Sequence, residues 1–533
     1  MTQSAAMDGA EKAQMPKQIP YIIANEGCER FSFYGMRNIL VSFLTTSLLL
    51  SMPENMRAGL AKEVFHTFVI GVYFFPLLGG WLADRYFGKY NTVLWLSLVY
   101  CCGHACLAIF EDNRNGFYTG LFLIALGSGG IKPLVTSFVG DQFDQSNRSL
   151  AQKVFDGFYW IINFGSFFAS LLMPFFLKEF GPSIAFGIPG LLMFIATIIF
   201  WSGRTKYVHV QPAPRDPHSF LKVVRTALTT DVPGQAKTGY FMTVAGVLLA
   251  IGSMFLIPKV GIVAALCLAL VLVLGFGGMG AWMQLERARG IHPDVAVDGV
   301  RAVLRILVVF ALVTPFWSLF DQKASTWVLQ ANDMIKPTFS FSIFSSSFSF
   351  EFQAAQMQAL NPLLVMLLIP FNNLVLYPLL KRNGVELTAL RRMGAGIAFA
   401  GLAWIVVGFM QLALDGGTAL EITWQVLPYA LLTFGEVLVS TTGLEFAYSQ
   451  APLAMKGVIM SFWNLSVTIG NLWVLLANSS VKSEAVTEQI KTTGMSVTAF
   501  QMFFFAGFAL LAAFLFSLYA RSYPMLNNYR KAD

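Results

Sequence analysis

The stretch PSIAFGIPGLLMFIATIIFWSG, residues 182–203, contains no charged side chain over 22 consecutive positions. Roughly 18 or more such residues are enough for a helix to cross the hydrocarbon core of a bilayer. Two further uncharged stretches lie at Val260–Met283 and Met502–Ala520. Because helices satisfy their own backbone hydrogen bonds in lipid, the sequence predicts an all-α membrane protein.

The composition of the whole chain agrees with this class. Of its 533 residues, 56% are hydrophobic and 12% are charged, whereas soluble proteins carry about 25% charged residues. The mean hydropathy is +0.62. These values exclude a disordered chain, a coiled coil and a nucleic-acid-binding protein. In a membrane chain the net charge of +7 is first a signal of topology.

Hydropathy along the chain predicts about fourteen membrane helices. They lie at 22–50, 61–83, 91–110, 116–138, 152–177, 182–202, 239–257, 260–283, 302–322, 355–380, 391–413, 424–446, 456–477 and 497–520. Residues 1–18 lack the apolar core of a signal peptide, so we expect the first apolar segment to be a retained span. The five cysteines have no ligand spacing, and we expect no metal site.

Basic residues concentrate in the loops on one side of this arrangement when the N-terminus is placed inside. They are Arg85, Lys89, those from Arg204 to Lys237, Arg287, Arg289, Lys381, Arg382, Arg391, Arg392, Arg521, Arg530 and Lys531. The loop 412–423 on the other side has none. The positive-inside rule therefore predicts that both termini are cytoplasmic.

The order of spans and polar segments predicts a six, two, six organisation. The polar segment 203–238 has four prolines and six Lys or Arg, and separates the first six spans from the rest. The predicted segments are a tail at 1–21, a six-helix bundle at 22–202, a cytoplasmic linker at 203–238, an extra transmembrane hairpin at 239–283, a second linker at 284–301, a six-helix bundle at 302–520 and a tail at 521–533.

One loop has a different periodicity. In FSFSIFSSSFSFEF, residues 339–352, aromatic and polar residues alternate with a period of two, which is typical of strands. The pattern predicts a periplasmic β-hairpin near 338–353, with its turn at Ser345–Ser347.

Charged side chains cluster on one face of the first span. At 100° per residue, an arc of about 140° holds Glu26, Glu29, Arg30, Tyr34 and Arg37. Ionisable groups at membrane depth are costly and mark ion or substrate routes. A helix end that snorkels into headgroups is the alternative for Glu26, whereas Arg37 lies ~16 Å deeper.

Two further charges lie inside predicted spans. Lys132 follows a run of glycines in ALGSGGIKPLV, and such glycines permit close helix approach. Its depth matches that of Glu26 and Glu29, so we expect it to pair with one of these carboxylates, with snorkelling as the alternative. Glu436 lies halfway along its span with no basic residue within a turn, and we expect a functional role rather than a structural one.

The span 302–322 carries Arg305 near its inner end and Asp321 near its outer end, ~24 Å apart, so these two cannot pair. Asp321 is expected within reach of Arg37, and such a pair between the two bundles would close an outer gate. An interfacial Asp at a helix end is the alternative. His66, near the outer end of its span, titrates near physiological pH, and both a proton role and a structural role stay open.

Seven segments together resemble the proton-dependent oligopeptide transporters, a family within the major facilitator superfamily. They are EGCERFSFYG (26–35), GGWLADRYFGKY (79–90), GSGGIKPLVTSFVGDQF (127–143), FYWIINFGS (158–166), FWSLFDQKASTWVLQ (316–330), LNP (360–362) and GEVLVSTTGLEFAYSQAPLAMKG (435–457). They run from the first span to the eleventh of the twelve bundle spans, so the resemblance covers nearly the whole chain.

The resemblance implies the major facilitator fold, two six-helix bundles that alternate access to a cavity, here with an extra two-helix hairpin. It implies import of di- and tripeptides with protons as the coupling ion, no other cofactor, a monomer, and a bacterial inner membrane. The positions that match the family's proton-coupling group are Glu26, Glu29, Arg30 and Lys132. The positions that match cavity residues contacting peptide or gate are Tyr34, Arg37, Tyr73, Asn163, Trp317, Asn361, Glu436 and Trp463.

We also assign His66, Arg305 and Asp321 to proton coupling. Since Arg30 and Lys132 come from one half and Glu436 from the other, the cavity between them would suit a zwitterionic peptide, with cationic groups on one wall and an anionic group on the other.

The chain departs from the family at Gln322-Lys323-Ala324, where Gln-Gln-Gly is common, so the charge near the outer gate differs. Another solute, nitrate or a modified metabolite, is the alternative on the same scaffold. No HExxH, GxSxG or phosphate-cradling loop is present in the sequence, and we expect no enzyme activity.

Overall fold

The computed structural model describes residues 14–143, 150–212, 216–343, 346–385, 387–450 and 455–524. Parts of the predicted tails and of the predicted linker 203–238 lie outside these ranges. The described chain is almost entirely helical, with one two-stranded sheet. The expected all-helical membrane architecture is confirmed.

Fourteen long helices follow one another along the described chain. They are α1 (Ile19–Phe43), α2 (Glu54–Phe74), α3 (Gly88–Ile109), α4 (Arg114–Asp141), α5 (Ala151–Phe180), α6 (Pro182–Ser202), α7 (Thr238–Ser253), α8 (Ile262–Gln284), α9 (Asp294–Asp321), α10 (Leu360–Phe371), α11 (Ala389–Asp415), α12 (Val426–Gln450), α13 (Lys456–Ser480) and α14 (Val497–Ser522). Short helical turns extend several of them, including Pro76–Leu82 after α2 and Tyr377–Arg382 after α10.

Twelve helical stretches within the described ranges are long and apolar enough to cross a membrane. One of them, Glu54–Ile109, has 56 residues. At 1.5 Å per residue it is more than twice the thickness of a bilayer core, so α2 and α3 count as two crossings. The charged α1 adds another. The expected number of about fourteen is therefore confirmed.

The helices form two bundles, each with its own hydrophobic core. We call α1–α6 the N-half and α9–α14 the C-half. The core of the N-half draws its buried side chains from residues 19–207, with Ala324 as the one exception among the described residues. The core of the C-half lies between Phe220 and Tyr523. Separate cores let each bundle move as a unit against the other.

The two halves meet mainly where α2 packs against α13 and where α5 packs against α10. We call the side on which α1 begins and α14 ends the terminal face, and the opposite side the distal face. The hairpin α7–α8 packs against α13 and α9. Near the distal face, Ala264 and Cys267 of α8 join Ile70 and Leu472 in a small buried cluster. The hairpin therefore touches both halves there.

Close helix contacts depend on the glycines before Lys132. A Cβ atom placed on Gly79, in the turn after α2, would lie 2.2 Å from the carbonyl oxygen of Gly130 in α4. A Cβ on Gly129 would lie 2.6 Å from the carbonyl oxygen of Val72. No side chain fits at either position, so glycine lets α4 approach α2 closely and fixes the position of Lys132.

The β-hairpin consists of β1 (Thr338–Ile343) and β2 (Ser346–Glu351), which pair antiparallel. The predicted turn at Ser345–Ser347 is wrong in its position. Ser346 and Ser347 belong to β2 and pair with Ile343 and Ser342, because strand pairing runs to the tip of the loop. Ser345 itself lies outside the described residues.

Candidate functional site

A buried charge cluster lies in the terminal half of α1. Arg30 donates through Nε to Glu26 Oε1 at 2.5 Å, and its Nε lies 3.1 Å from Glu29 Oε2. Glu26 and Glu29 are 1% and 2% exposed. Helical spacing of four residues brings Arg30 and Glu26 together on one face. One guanidinium thus faces two carboxylates, a local excess of negative charge that a proton or a second cation can neutralise.

Lys132 is not paired with either carboxylate as expected. Among the described residues no carboxylate lies within 4.0 Å of its ammonium, which instead lies 3.8 Å from the ring centroid of Phe33 and 4.9 Å from that of Tyr73. The aromatic faces hold the cation by cation–π attraction. In this conformation Arg30 bonds Glu26 from within the same helix, whereas both oxygens of Glu29 accept no hydrogen bond among the described residues.

The predicted pair between the halves is present, closer to the distal face than the charge cluster of α1. Arg37 donates through Nη2 to Asp321 Oδ1 at 2.8 Å. Arg37 is 6% exposed and Asp321 is 2% exposed. Arg37 also lies over the ring of Phe65 in α2, with 5.2 Å to the centroid. A buried, charge-assisted bond therefore joins α1 of the N-half to α9 of the C-half.

His66 joins the same network through an amide. Asn471 donates through Nδ2 to Asp321 Oδ2 at 2.7 Å, and its Oδ1 lies 2.6 Å from His66 Nδ1. An ionised carboxylate only accepts hydrogen bonds, so the amide nitrogen of Asn471 faces Asp321. The amide oxygen of Asn471 then faces His66 and accepts from an N–H at Nδ1. His66 Nε2 lies 3.0 Å from Ser325 Oγ. The amide of Asn471 thus links His66 to Asp321, and His66 connects the N-half to α13.

The side chain of Glu436 projects from α12 toward α10. Asn361 donates through Nδ2 to Glu436 Oε2 at 2.5 Å and lies 3.1 Å from Thr433 Oγ1. A close approach of α11 and α12 supports this position, since a Cβ on Gly435 would lie 2.6 Å from the carbonyl oxygen of Gly396. The amide of Asn361 in α10 thus holds the carboxylate of Glu436 in place.

Lys323 is a buried cation that sequence reasoning noted only as a departure from the family. It lies in the turn Gln322–Ala324 after α9, is 4% exposed, and its ammonium lies 3.1 Å from the ring centroid of Phe320. The C-half therefore holds a buried lysine as well as the expected acid.

Aromatic and amide side chains make up the rest of the predicted site. Trp317 and Trp463 lie edge to face, with ring centroids 5.7 Å apart, and both are buried. Asn163 donates to the carbonyl oxygen of Tyr159 in its own helix, which leaves its amide oxygen for another partner. Tyr73 lies under the Lys132 ammonium. These groups provide apolar surface with a few fixed polar atoms.

Arg305 is not brought to the cluster. It is half-buried, and its guanidinium lies 5.5 Å from the ring centroid of Trp282 in α8. Tyr519 donates to its backbone oxygen. The side chain thus faces the α7–α8 hairpin, because its helical position is turned away from the one that carries Asp321. Its assignment to proton coupling gains no support from this position.

Three polar residues of the site had no role in the sequence analysis: Ser325, Thr433 and Asn471. Each is buried and each contacts a predicted site residue. Asn471 and Thr433 lie inside apolar spans, and polar groups at that depth need internal partners. A search for amides and hydroxyls in the spans would have found these two.

Residues 90–494 match the sequence profile of the POT family (PTR2). The chain is 32% identical over 447 residues to solute carrier family 15 member 2 of Mus musculus, covering 80% of this chain and 54% of that protein. It is 32% identical over 416 residues to peptide transporter family 2 of Caenorhabditis elegans, covering 74% and 47%. The chain thus spans about half the length of the curated relatives it matches.

Two crystal structures are similar over nearly their whole length. The POT family transporter PepTSo shares 72% sequence identity with a TM-score of 0.92, and the match covers 96% of this chain and 98% of that one. An auto-inhibited POT family peptide transporter shares 64% identity with a TM-score of 0.92, covering 97% and 99%. The similarity includes both halves and the α7–α8 hairpin.

Proposed function

Because the chain belongs to the POT family, we propose that it imports di- and tripeptides together with protons by alternating access between its two halves. The relatives named above as peptide transporters support a peptide substrate. We further propose that it acts as a monomer in a bacterial inner membrane, with both termini in the cytoplasm, the distal face in the periplasm and no cofactor apart from the proton.

One observation carries the peptide proposal: each half places charged side chains, buried or half-buried, inside the membrane-spanning region. The N-half contributes Arg30 and Lys132 beside Glu26 and Glu29, and the C-half contributes Lys323 and Glu436, the latter held by Asn361. A zwitterionic peptide has a carboxylate and an ammonium a few residues apart. The peptide carboxylate near Lys132 and the peptide ammonium near Glu436 would give these two side chains partners, which charges away from water require.

The charge cluster in α1 supports coupling to protons. Two carboxylates beside one guanidinium can lose their excess charge either to a proton or to the Lys132 ammonium. If a peptide carboxylate draws Lys132 toward itself, a proton on Glu26 or Glu29 replaces it. Binding of proton and peptide would then favour one another through the same residues.

Counterflow of labelled dialanine in proteoliposomes, with and without an imposed pH gradient, tests the proposal. We expect exchange without a gradient and accumulation when the outside is acidic. Inward movement of one proton releases about 2.3 kcal/mol per 100 mV, enough for tens-fold accumulation. Counterflow of labelled nitrate, with no counterflow of labelled dialanine, would favour the other solute class. No accumulation under a gradient would contradict proton coupling.

A further inference from the structure

The polar segment between the halves contacts both of them at the terminal face. At its start, Val208 donates through its backbone N–H to Oε1 of Gln142, the residue that follows α4, at 2.9 Å. Further along, the helix Phe220–Thr229, which we call the linker helix, buries Phe220, Val223 and Ala227 in the core of the C-half. The segment therefore joins one half to the other by noncovalent contacts as well as by the chain.

Polar contacts at the two ends fix the linker helix to the connection between α8 and α9. After the helix, Arg287 donates through Nη2 to the carbonyl oxygen of Ala236 at 2.9 Å. Before it, His218 Nδ1 lies 2.9 Å from His292 Nδ1, with the ring planes at 86°. His292 Nε2 lies 2.9 Å from Thr226 Oγ1 of the linker helix. Both imidazole nitrogens of His292 thus bind the linker segment.

The bond between the two imidazoles limits the number of protons that the pair can hold. One Nδ1 must carry a hydrogen and the other must offer a lone pair. A neutral pair meets this condition, and so does a pair with one added proton on the donor ring. With a second added proton, both Nδ1 atoms carry hydrogens and both rings are cations 2.9 Å apart, so the bond is replaced by repulsion.

The charges around His292 favour its neutral form. Burial first, then the neighbouring His218 and Lys222, hold the pKa of His292 below its ordinary value, and Asp216 opposes them. Arg289, on the same connection, is engaged with Glu286, Asp294 and Asp298. Docking is therefore most stable above the ordinary histidine pKa of roughly 6.5, and it weakens as the pH falls through the lower pKa of the docked state.

We propose that His218 and His292 form a proton-sensitive latch that holds the linker helix on the C-half and releases it when both rings are protonated. The apolar face of the linker helix, at Phe220, Val223 and Ala227, keeps the latch from opening at neutral pH. The terminal face is the side to which the proposed import delivers protons. A proton-sensitive contact at this face would respond to the acidity that transport produces. The latch itself depends on the two rings and not on the transported solute.

Hydrogen–deuterium exchange of the full-length protein in nanodiscs tests the latch. The peptide that covers the linker helix would be followed at about pH 7.5 and about pH 5.5, on either side of the ordinary histidine pKa, with correction for intrinsic exchange. When release of the linker helix takes up one proton, the equilibrium constant for release rises by at most about tenfold for each pH unit below 6.5. Exchange follows this constant, so we expect it to be about tenfold faster at pH 5.5 than at pH 7.5. Equal corrected exchange at both values would overturn the proposal.

Three variants separate titration from docking. His292→Gln can still bond Thr226 but cannot take a proton, so the pH dependence should vanish. Thr226→Val removes a docking bond and keeps both rings, so exchange should rise at both pH values while the ratio between them stays near the wild-type one. His209→Gln removes another histidine of the segment, which contacts Arg204 and Tyr90, and should leave the ratio unchanged. A pH dependence that survives His292→Gln, or is lost in either other variant, would overturn the latch.

Discussion

Asp321→Asn should shift the protein toward a conformation open at the distal face. The carboxylate of Asp321 accepts from Arg37 at 2.8 Å and from Asn471 at 2.7 Å, and all three side chains are buried. Asparagine removes the charge and keeps one oxygen. When the distal face opens, Arg37 can reach water, so the loss falls on the closed state alone.

The size of the shift follows from this geometry. Removing one partner of a buried ion pair outright costs about 3–5 kcal/mol. The asparagine oxygen can still accept from Arg37, so we expect the loss to be closer to the value of a hydrogen bond to a charged group, about 1.5–3 kcal/mol. Every 1.4 kcal/mol is tenfold in a ratio. A distal-open population of about 1% would then become roughly 10–60%.

Double electron–electron resonance measures this population directly. Spin labels at Phe180 of α5 and Ile335 of the C-half would report the separation of the halves, since both side chains are exposed on the distal face, at 54% and 53%. The five native cysteines, none of them in a disulfide, would first be replaced. We expect a second, longer distance in Asp321→Asn. Acidification of the wild-type protein should produce the same distance if Asp321 takes up a proton.

Lys178→Ala is the matched control. Lys178 and Glu351 also join the halves on the distal face, at 2.6 Å, but their side chains are 40% and 46% exposed. Such pairs contribute about 0–1 kcal/mol, so this variant should shift the ratio by no more than about fivefold. If Asp321→Asn gives the wild-type distances, or if Lys178→Ala opens the face equally, the buried pair is not what holds the halves together.

Three other variants test the remaining parts of the site and the fold. Lys132→Ala should abolish uptake driven by a pH gradient while dialanine counterflow survives. The variant loses the cation that a proton replaces at Glu26 or Glu29. Full accumulation of dialanine against a gradient would contradict this. Glu436→Gln should weaken binding of peptides with a free amino terminus about ten- to a hundredfold, the equivalent of roughly 1.5–3 kcal/mol, and equal loss for N-acetylated peptides would assign Glu436 to packing instead. Gly79→Ala should destabilise the protein by about 1–3 kcal/mol, because the new Cβ would lie 2.2 Å from the carbonyl oxygen of Gly130. The measurement is a lower midpoint of thermal unfolding. Gly80→Ala is the control and should leave the midpoint unchanged, since a Cβ on Gly80 has nothing within 4 Å.

The sequence predicted the spans and the gate pair because both follow from the cost of charge in lipid. Uncharged stretches have to be helices, and charges such as Arg37 and Asp321 have to find partners at a similar depth. The partner of Lys132 was predicted wrongly for this conformation. Depth alone allowed the pair with Glu26 or Glu29, and only the three-dimensional arrangement shows that Arg30 bonds Glu26 while the Lys132 ammonium lies against Phe33 and Tyr73.

The position of Lys323 was out of reach of sequence reasoning for a different reason. Hydropathy ends the span at Asp321, and the side chains beyond a helix end have no fixed periodicity. The structure continues with the tight turn Gln322–Ala324 and a further short helix, Thr326–Asn332. This turn directs Lys323 back into the protein instead of toward the surface. The hairpin, by contrast, was predictable because its period of two persists over both strands.

Many of the described polar contacts between the halves lie on or toward the distal face, including those of Arg37, His66, Lys178 and Gln358. An apolar interface between the halves would be stabilised by roughly 25 cal/mol for each Å² buried. Opening such an interface would lose all of this free energy. A buried ion pair behaves differently, since the Coulombic gain is largely offset by desolvation. When the halves part, Arg37 and Asp321 regain their hydration. The polar interface therefore keeps the closed conformation specific in its geometry and shallow in free energy, so the loss of a single charge shifts the equilibrium toward the open conformation.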